Sequence, residues 1–288
     1  MREASLDPIR IAASLGAGRG RDARRVEGGS DTLLWRVELP DGPVAVRLFR
    51  SDQGAAAERE AEALAAAHAG GVPVPAVIAR GTWEGRPVTV IGWCTGETVV
   101  ARLLEAPDRA EAIGLSFGRT QAAIHRVAAP AGWRADGWRG WVPAAVLPAP
   151  DEAAPRALLH LDFHPMNVLV EGETVTAVLD WVNARAGDPR ADVARTYSIL
   201  VADPGVGTFD RRVVRAFRRG WRAGYEELNG PLRDLAPFVS WAGRVMAHDL
   251  QHRLSDAQLD RIIAWTAGWD RRALRRGDTV PDGPVAQR

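Results

Sequence analysis

The sequence predicts an α+β fold of two lobes, a small antiparallel-sheet lobe followed by a larger, mainly helical one. Three observations predict it. Apolar residues recur with a strand-like period of two from about residue 26 to 91. The run Gly92-Trp93-Cys94-Thr95-Gly96 then breaks the pattern as a linker would. Beyond it the text is mainly helical to about residue 276, interrupted by one compact strand-loop-strand block at 158–180. The lobes are expected to divide into residues 1–92 and 93–288 within one domain overall. Two lobes joined by a linker imply a cleft, and clefts are where ligands bind.

The elements follow in order. Asp7-Pro8 reads as a helix N-cap with proline at the first helical position, followed by Ile9, Ile11, Ala12 and Leu15. The Arg- and Gly-rich stretch 16–25 reads as a loop. Leu33, Trp35, Val37 and Leu39 alternate as a half-buried strand, Asp41-Gly42 is a hairpin turn, and 44–49 is the return strand. Glu27-Gly28-Gly29-Ser30-Asp31 is the turn that opens this hairpin. Residues 55–68 are alanine-rich and helical, carry Glu58, Glu60 and Glu62, and end at Gly70-Gly71. Residues 74–78 and 88–91 form two more strands around a turn at 81–86. A long helix is expected over 110–127. Residues 128–150, rich in Pro, Gly and Trp (Trp133, Trp138, Trp141), read as an inserted loop that either walls a pocket or is pinned to the lobe. Helices dominate from 189, and 277–288 reads as a frayed tail.

Composition narrows the function classes. The chain has 288 residues, 46% of them hydrophobic, enough to bury a sizeable core. Charged residues make up 25%, with a formal net charge of +1, so nothing demands a nucleic acid or a membrane surface as partner. There is no lysine, and all 37 basic residues are arginine, as GC-rich codon usage would give. The lone Cys94 cannot form an internal disulfide, and no Cys/His cluster has zinc spacing. The start lacks a secretory-signal layout, and no apolar run approaches the ~18–20 residues that span a bilayer. A cytoplasmic chain is expected, as a monomer or a homodimer.

The chemistry-bearing text is Leu159-His160-Leu161-Asp162-Phe163-His164-Pro165-Met166-Asn167-Val168, with Leu179-Asp180-Trp181 after the next strands. Phosphoryl transfer needs an acceptor for a hydroxyl proton, oxygen ligands for magnesium, and positive charge on the phosphate oxygens. Magnesium takes one or two carboxylates together with substrate phosphates and water. An Asp, an Asn five residues later and a distant Asp after a strand meet that demand, with the spacing of the protein-kinase pattern.

With its flanking text, this block resembles the aminoglycoside phosphotransferase family, the small-molecule branch of the protein-kinase-like fold. The resemblance rests on His160-x-Asp162-x4-Asn167, Leu179-Asp180-Trp181, Gly187-Asp188-Pro189 with Asp192, Gly28-Gly29-Ser30-Asp31 before Trp35-Arg36-Val37, and Arg59-Glu60-Ala61 with Val72-Pro73-Val74-Pro75. It runs from about residue 26 to 200. It implies ATP or GTP with Mg2+ as cofactors and a small-molecule hydroxyl, of an antibiotic or a metabolite, as acceptor. Asp162 would orient and deprotonate that hydroxyl, Asn167 and Asp180 would hold magnesium, and His160 would brace the loop. His164 would either hydrogen-bond the transferred phosphate or pack the loop. Gly28, Gly29 and Ser30 would approach the phosphates, and Trp93 and Cys94 in the linker would lie near the base. Arg47 stands where the kinase pattern has a phosphate-binding lysine, with Glu60 as its helix partner. It is either a working replacement in a lysine-free chain or the mark of a weakened site in a non-catalytic binding module. No D-F-G or A-P-E text follows Asp180, and the short stretch from Asp180 to Gly187-Asp188-Pro189 leaves no room for the long activation loop of a protein kinase.

Overall fold

The computed structural model describes residues 6–26, 32–141 and 156–275. It has the kinase-like two-lobe arrangement. The first lobe is built on a five-stranded antiparallel sheet of β1 (Asp22–Arg25), β2 (Leu33–Leu39), β3 (Gly42–Leu48), β4 (Val77–Trp83) and β5 (Arg86–Gly92), in the order β1-β2-β3-β5-β4. Helix α1 (Pro8–Ser14) begins at Asp7, whose carboxylate accepts from the Ile9 and Arg10 amides. Its Ile11 and Ala12 join Trp35, Val37, Val46 and Val90 in the apolar cluster on the sheet.

Two elements differ from the sequence reading. Residues 22–25 form an edge strand rather than a loop, pairing Asp22 with Glu38 through Arg25 with Trp35. Its side chains stay largely in solvent, so main-chain bonds define the strand and no apolar alternation marks it. Strands β4 and β5 run closer together than the expected turn at 81–86 allows. Glu84 and Gly85 turn the chain in two residues, both with positive φ (50° and 75°), as a tight hairpin requires.

Helix α2 (Gly54–Ala69) follows β3. Its Ala63, Leu64 and Ala67 belong to the same apolar cluster as the second lobe's Phe117, Phe163 and Phe217. This helix therefore ties the two lobes together.

The second lobe contains α3 (Val99–Glu105), α4 (Ala110–Ile124), α5 (Pro189–Ala202), α6 (Arg211–Asn229), α7 (Ala236–Leu250) and α8 (Asp256–Arg275). Pro107 starts a short 3-10 turn that separates α3 from α4, and α4 stops three residues before the expected end at 127. Small antiparallel ladders join β6 (Glu97–Thr98), β8 (Val168–Glu171) and β9 (Thr174–Val178), and pair β7 (Ala157–Leu159) with β10 (Arg185–Gly187). Helices α4 and α6 meet almost backbone to backbone. A Cβ on Gly114 or Gly118 would overlap the carbonyl oxygen of Phe217 or Trp221, and one on Gly220 or Gly224 would overlap that of Glu111 or Leu115.

Over the described residues 128–141, the Trp-rich segment is pinned to the lobe rather than walling the cavity, and 142–150 lie outside the described residues. Trp138 packs edge-on to Trp241 at 4.7 Å, and the Trp133 indole N–H donates to Glu62 Oε2 at 2.7 Å. The side chain of Trp141 lies outside the described residues. Among the described residues no helix is long and apolar enough to cross a membrane.

Candidate active site

The loop between β7 and β8 carries His160, Asp162, His164 and Asn167, and α5 holds it in place. Asp192, buried on α5, accepts from the Leu161 amide at 2.6 Å and the His160 amide at 3.2 Å. Arg195, one turn later, reaches the Leu161 carbonyl from Nε at 3.3 Å, and the Thr196 hydroxyl donates to the Phe163 carbonyl at 2.8 Å. These three side chains sit at i, i+3 and i+4, so one helix face presents them together. Leu161 adopts φ 61°, a conformation that costs a non-glycine residue energy and persists here because its neighbours over-determine it.

Two hydrogen-bonded chains extend this support to α6. Asp192 Oδ2 lies 2.8 Å from His125 Nε2, and His125 Nδ1 lies 2.8 Å from the Tyr225 hydroxyl. Burial pushes the Tyr225 phenol up to about 12, so it remains a donor. The Trp221 indole N–H donates to Gln121, whose amide donates to Thr196. Both chains cross the glycine contact between α4 and α6. Burial alone would raise the Asp192 carboxyl, but the His125 hydrogen bond and the nearby imidazoles and amides outweigh it and hold it below the ordinary range.

His160 is fully buried beneath the loop. Its Nδ1 accepts from the Asp162 amide at 3.2 Å, and its Nε2 lies 2.9 Å from the Leu179 carbonyl. That pattern assigns a neutral ring with the proton on Nε2, and burial lowers its pKa accordingly. His160 therefore links the loop at Asp162 to the end of β9 at Leu179.

Asp162 projects into the cleft with its side chain 25% exposed. Asn167 Nδ2 donates to its main-chain carbonyl at 3.1 Å and its carboxylate at 3.3 Å, and His164 Nε2 lies 3.6 Å from Oδ1. Burial acts to raise the Asp162 carboxyl, but the His164 interaction and the more distant Arg195 and His160 pull it lower, so it is ionised.

Asp180 follows β9 in a left-handed conformation, φ 60°, that turns its carboxylate into the cleft. The Leu179 amide donates to the Asn167 carbonyl at 2.8 Å, which brings Asn167 and Asp180 side by side. The arrangement offers hard oxygen donors, a carboxylate and an amide oxygen, which suits magnesium with phosphate completing its shell. Among the described residues no group of three or more His, Cys, Asp or Glu side chains is placed to hold a metal alone.

Arg47 on β3 faces them across the cleft. Its guanidinium pairs with Glu60 on α2, reaches Asp180 Oδ1 at 3.1 Å, and donates from Nε to the Thr32 hydroxyl at 3.1 Å. A planar fork serves three partners at once, which a lysine ammonium cannot do in the same geometry. Burial would lower the Arg47 pKa, but Glu60 and Asp180 outweigh it and keep the cation bound to its proton. Burial pushes the Glu60 carboxyl up to about 7 against the pull of Arg47.

Asp162, His164, Asp180 and Arg47 line one cavity of about 670 Å3 between the lobes. Trp93 and Cys94 lie in the linker and do not line it. The Trp93 amide bonds the Pro43 carbonyl, and its ring lies under Arg36. Gly28, Gly29 and Ser30 lie outside the described residues. Of the supporting residues, the sequence pointed to Asp192 but not to Arg195 or Thr196. The available signal was their shared helix face directly after the Asp188-Pro189 cap.

The profile of the phosphotransferase enzyme family matches residues 22–145 and 133–230. No curated protein sequence matches the chain significantly. Among solved structures, a protein described as an aminoglycoside phosphotransferase from Ralstonia eutropha JMP134 superposes with a TM-score of 0.66 at 19% identity, covering 91% of this chain and 96% of that one. Aminoglycoside phosphotransferase APH(4)-Ia gives 0.64 at 17% identity, with 94% and 98% covered. A thermostable mutant of APH(4)-Ia, solved with ADP and hygromycin B, gives 0.60 at 18%, with 94% and 98% covered. At these identities the likeness establishes the fold, and the matched profile, which spans most of the chain, establishes that the protein belongs to the phosphotransferase enzyme family.

Proposed function

We propose that the protein transfers the γ-phosphate of ATP to a hydroxyl of a small molecule, with Asp162 as the base. The observation that carries this reading is the convergence of Asp162, Asp180 and Arg47, from three different segments, on one inter-lobe cavity, with Asn167 bonded to Asp162 at its edge. The relatives solved with ADP or AMP-PNP and an aminoglycoside support the nucleotide and the reaction class.

Asn167 and Asp180 would hold magnesium, which when bound neutralises charge on the β- and γ-phosphates. Arg47, anchored by Glu60, lies where its guanidinium meets phosphate oxygens. Its pairing with Asp180 then gives way to the nucleotide. Asp162 accepts the hydroxyl proton as the acceptor oxygen bonds to phosphorus and the bond to the leaving ADP oxygen breaks. Its lowered pKa suits this role, because the base must be ionised when the acceptor arrives and positioning supplies most of the effect. His164 lies beside the carboxylate and helps fix its orientation.

Asp162→Asn should lower the rate of acceptor-dependent ADP release by about 10²–10⁴-fold. The ATP–magnesium affinity, measured by calorimetry, should stay within a factor of a few. Unchanged turnover would remove Asp162 from the mechanism. No binding at millimolar ATP and magnesium would favour the non-catalytic binding module instead.

A further inference from the structure

The acceptor end of the cavity has a chemistry that the catalytic residues do not dictate. Beyond Asp162 its walls are Ile199 on α5, Phe209, Val213 and Phe217 at and after the entry to α6, and Met246 and Leu250 on α7. Phe209, Val213, Ile199 and Leu250 are only partly buried, so they present apolar surface to the cavity. Met166, on the same loop as Asp162, lines it with its side chain largely in the open, 64% exposed. A flexible thioether beside the reacting carboxylate is suited to an apolar partner of variable shape.

Among the described residues, the charged groups at this end do not form an acidic site. Asp203 and Asp249 are matched by Arg195 and Arg253, so the formal charge of these four cancels. Asp249 faces Arg195 at 3.5 Å, and Asp203 caps the 204–208 turn by accepting from the Gly205 amide at 2.7 Å. Besides Asp162 and Asp180 at the catalytic end, no other carboxylate of the described residues lines the cavity. Glu226 pairs with Arg222 and Glu227 with Arg119, and neither they nor Asp256 and Asp260 on α8 line it. A ligand with several ammonium groups needs a countercharge for each as it leaves water. An apolar skeleton gains about 25 cal/mol for each Å2 it buries here.

Resting on the phosphotransfer reading above, we infer that the acceptor is an alcohol with a predominantly apolar skeleton that carries at most one positive charge. The hydroxyl meets Asp162 while the skeleton lies against α5, α6 and α7. Asp203, which lines the cavity, is the carboxylate that would meet a single amine.

The test uses the full chain with Nile red as a neutral apolar probe. A macrolactone alcohol with one amine and an aminocyclitol with several amines serve as competitors and as acceptors. Nile red should bind, the macrolactone should displace it, and the aminocyclitol should not. Val213→Asp places a carboxylate in the first turn of α6, where the helix dipole favours it, and its folding is checked by an unchanged far-UV circular dichroism spectrum. It should weaken probe binding about tenfold through loss of apolar contact and addition of charge, whereas Val213→Leu should not. The macrolactone should stimulate ADP release more than the aminocyclitol does. Displacement of Nile red by the aminocyclitol, wild-type probe affinity in Val213→Asp, or ADP release stimulated by the aminocyclitol alone would overturn the inference. In the last case the phosphotransfer reading stands. If the probe behaves as expected but the chain neither binds ATP nor releases ADP, the acceptor role falls together with that reading, and an apolar pocket alone remains.

Discussion

The two ends of the inter-lobe cavity are built on opposite principles. At the catalytic end each functional side chain has a named hydrogen-bond partner, and the loop that carries them is held by Asp192, Arg195 and Thr196. At the acceptor end the wall is mainly aliphatic and aromatic, and shape does the work that directed bonds do nearby. Directed bonds admit few substitutes, because a buried donor left without its acceptor costs its full desolvation energy. Apolar contacts of similar volume are interchangeable at modest cost. The first end should therefore fail sharply under mutation, and the second should shift its preference gradually.

The largest break in that contrast is expected at Asp192. Replacing it with alanine leaves the Leu161 and His160 amides and the His125 ring without their shared acceptor. Urea unfolding should show a loss of about 3–5 kcal/mol, with turnover lost as the loop relaxes. Val206 also lines the cavity, beside Phe209; Val206→Ala should cost less than half of that and leave ATP affinity unchanged. Equal losses at the two positions would erase the distinction between the ends.

The glycine contact behind the catalytic end comes next. Gly118→Ala forces a methyl group into the Trp221 carbonyl, so α4 and α6 must separate. Overpacking of this kind costs about 1–3 kcal/mol. Here separation also strains the Gln121–Trp221 and His125–Tyr225 bonds, so the melting temperature and the rate should fall together. An unchanged melting temperature would mean that the helices have room to move.

This contrast also explains what could be read from the sequence. That Asp162, Asn167 and Asp180 lie together at one end of the cavity was legible because phosphoryl transfer asks for particular atoms at particular spacings. The hairpin at Asp41-Gly42 and the helix start at Asp7-Pro8 were legible because they too need particular residues at particular positions. The edge strand at 22–25 was not, since its exposed side chains leave no periodic trace. Nor was the role of Gly114, Gly118, Gly220 and Gly224, because four glycines on two helices become one feature only when the helices meet. The place of His125 in a chain from Tyr225 to the loop depends on three helices at once. The acceptor wall was the least legible. Of Glu226, Glu227, Asp249, Asp256 and Asp260, the fold brings only Asp249 to the cavity.

A smaller effect separates the two readings of Arg47. A lysine there supplies one ammonium and cannot serve Glu60, Asp180 and Thr32 together. Arg47→Lys should weaken ATP binding by about tenfold, the worth of one charge-assisted hydrogen bond. The acceptor preference should not change. Tighter ATP binding in this variant would instead identify Arg47 as a weakened position.

The smallest expected effect lies in the dependence of stability on pH. Asp192 is held below the ordinary aspartate value of 3.8 in the folded chain. The unfolded state therefore takes up its proton first as pH falls. The stability it contributes is fully present above that ordinary value and is lost as pH drops through the folded one. Asp192→Asn removes this group's share of the acid loss, so variant and wild type should converge in stability as the solution is acidified below about pH 4. Phe209→Ala, in the acceptor wall, leaves the Asp192 linkage intact, so its stability difference from wild type should stay constant over the same range. Urea titrations at a series of acid pH values read both. If Phe209→Ala also converged with wild type, acid sensitivity would not be confined to the hydrogen-bonded end of the cavity.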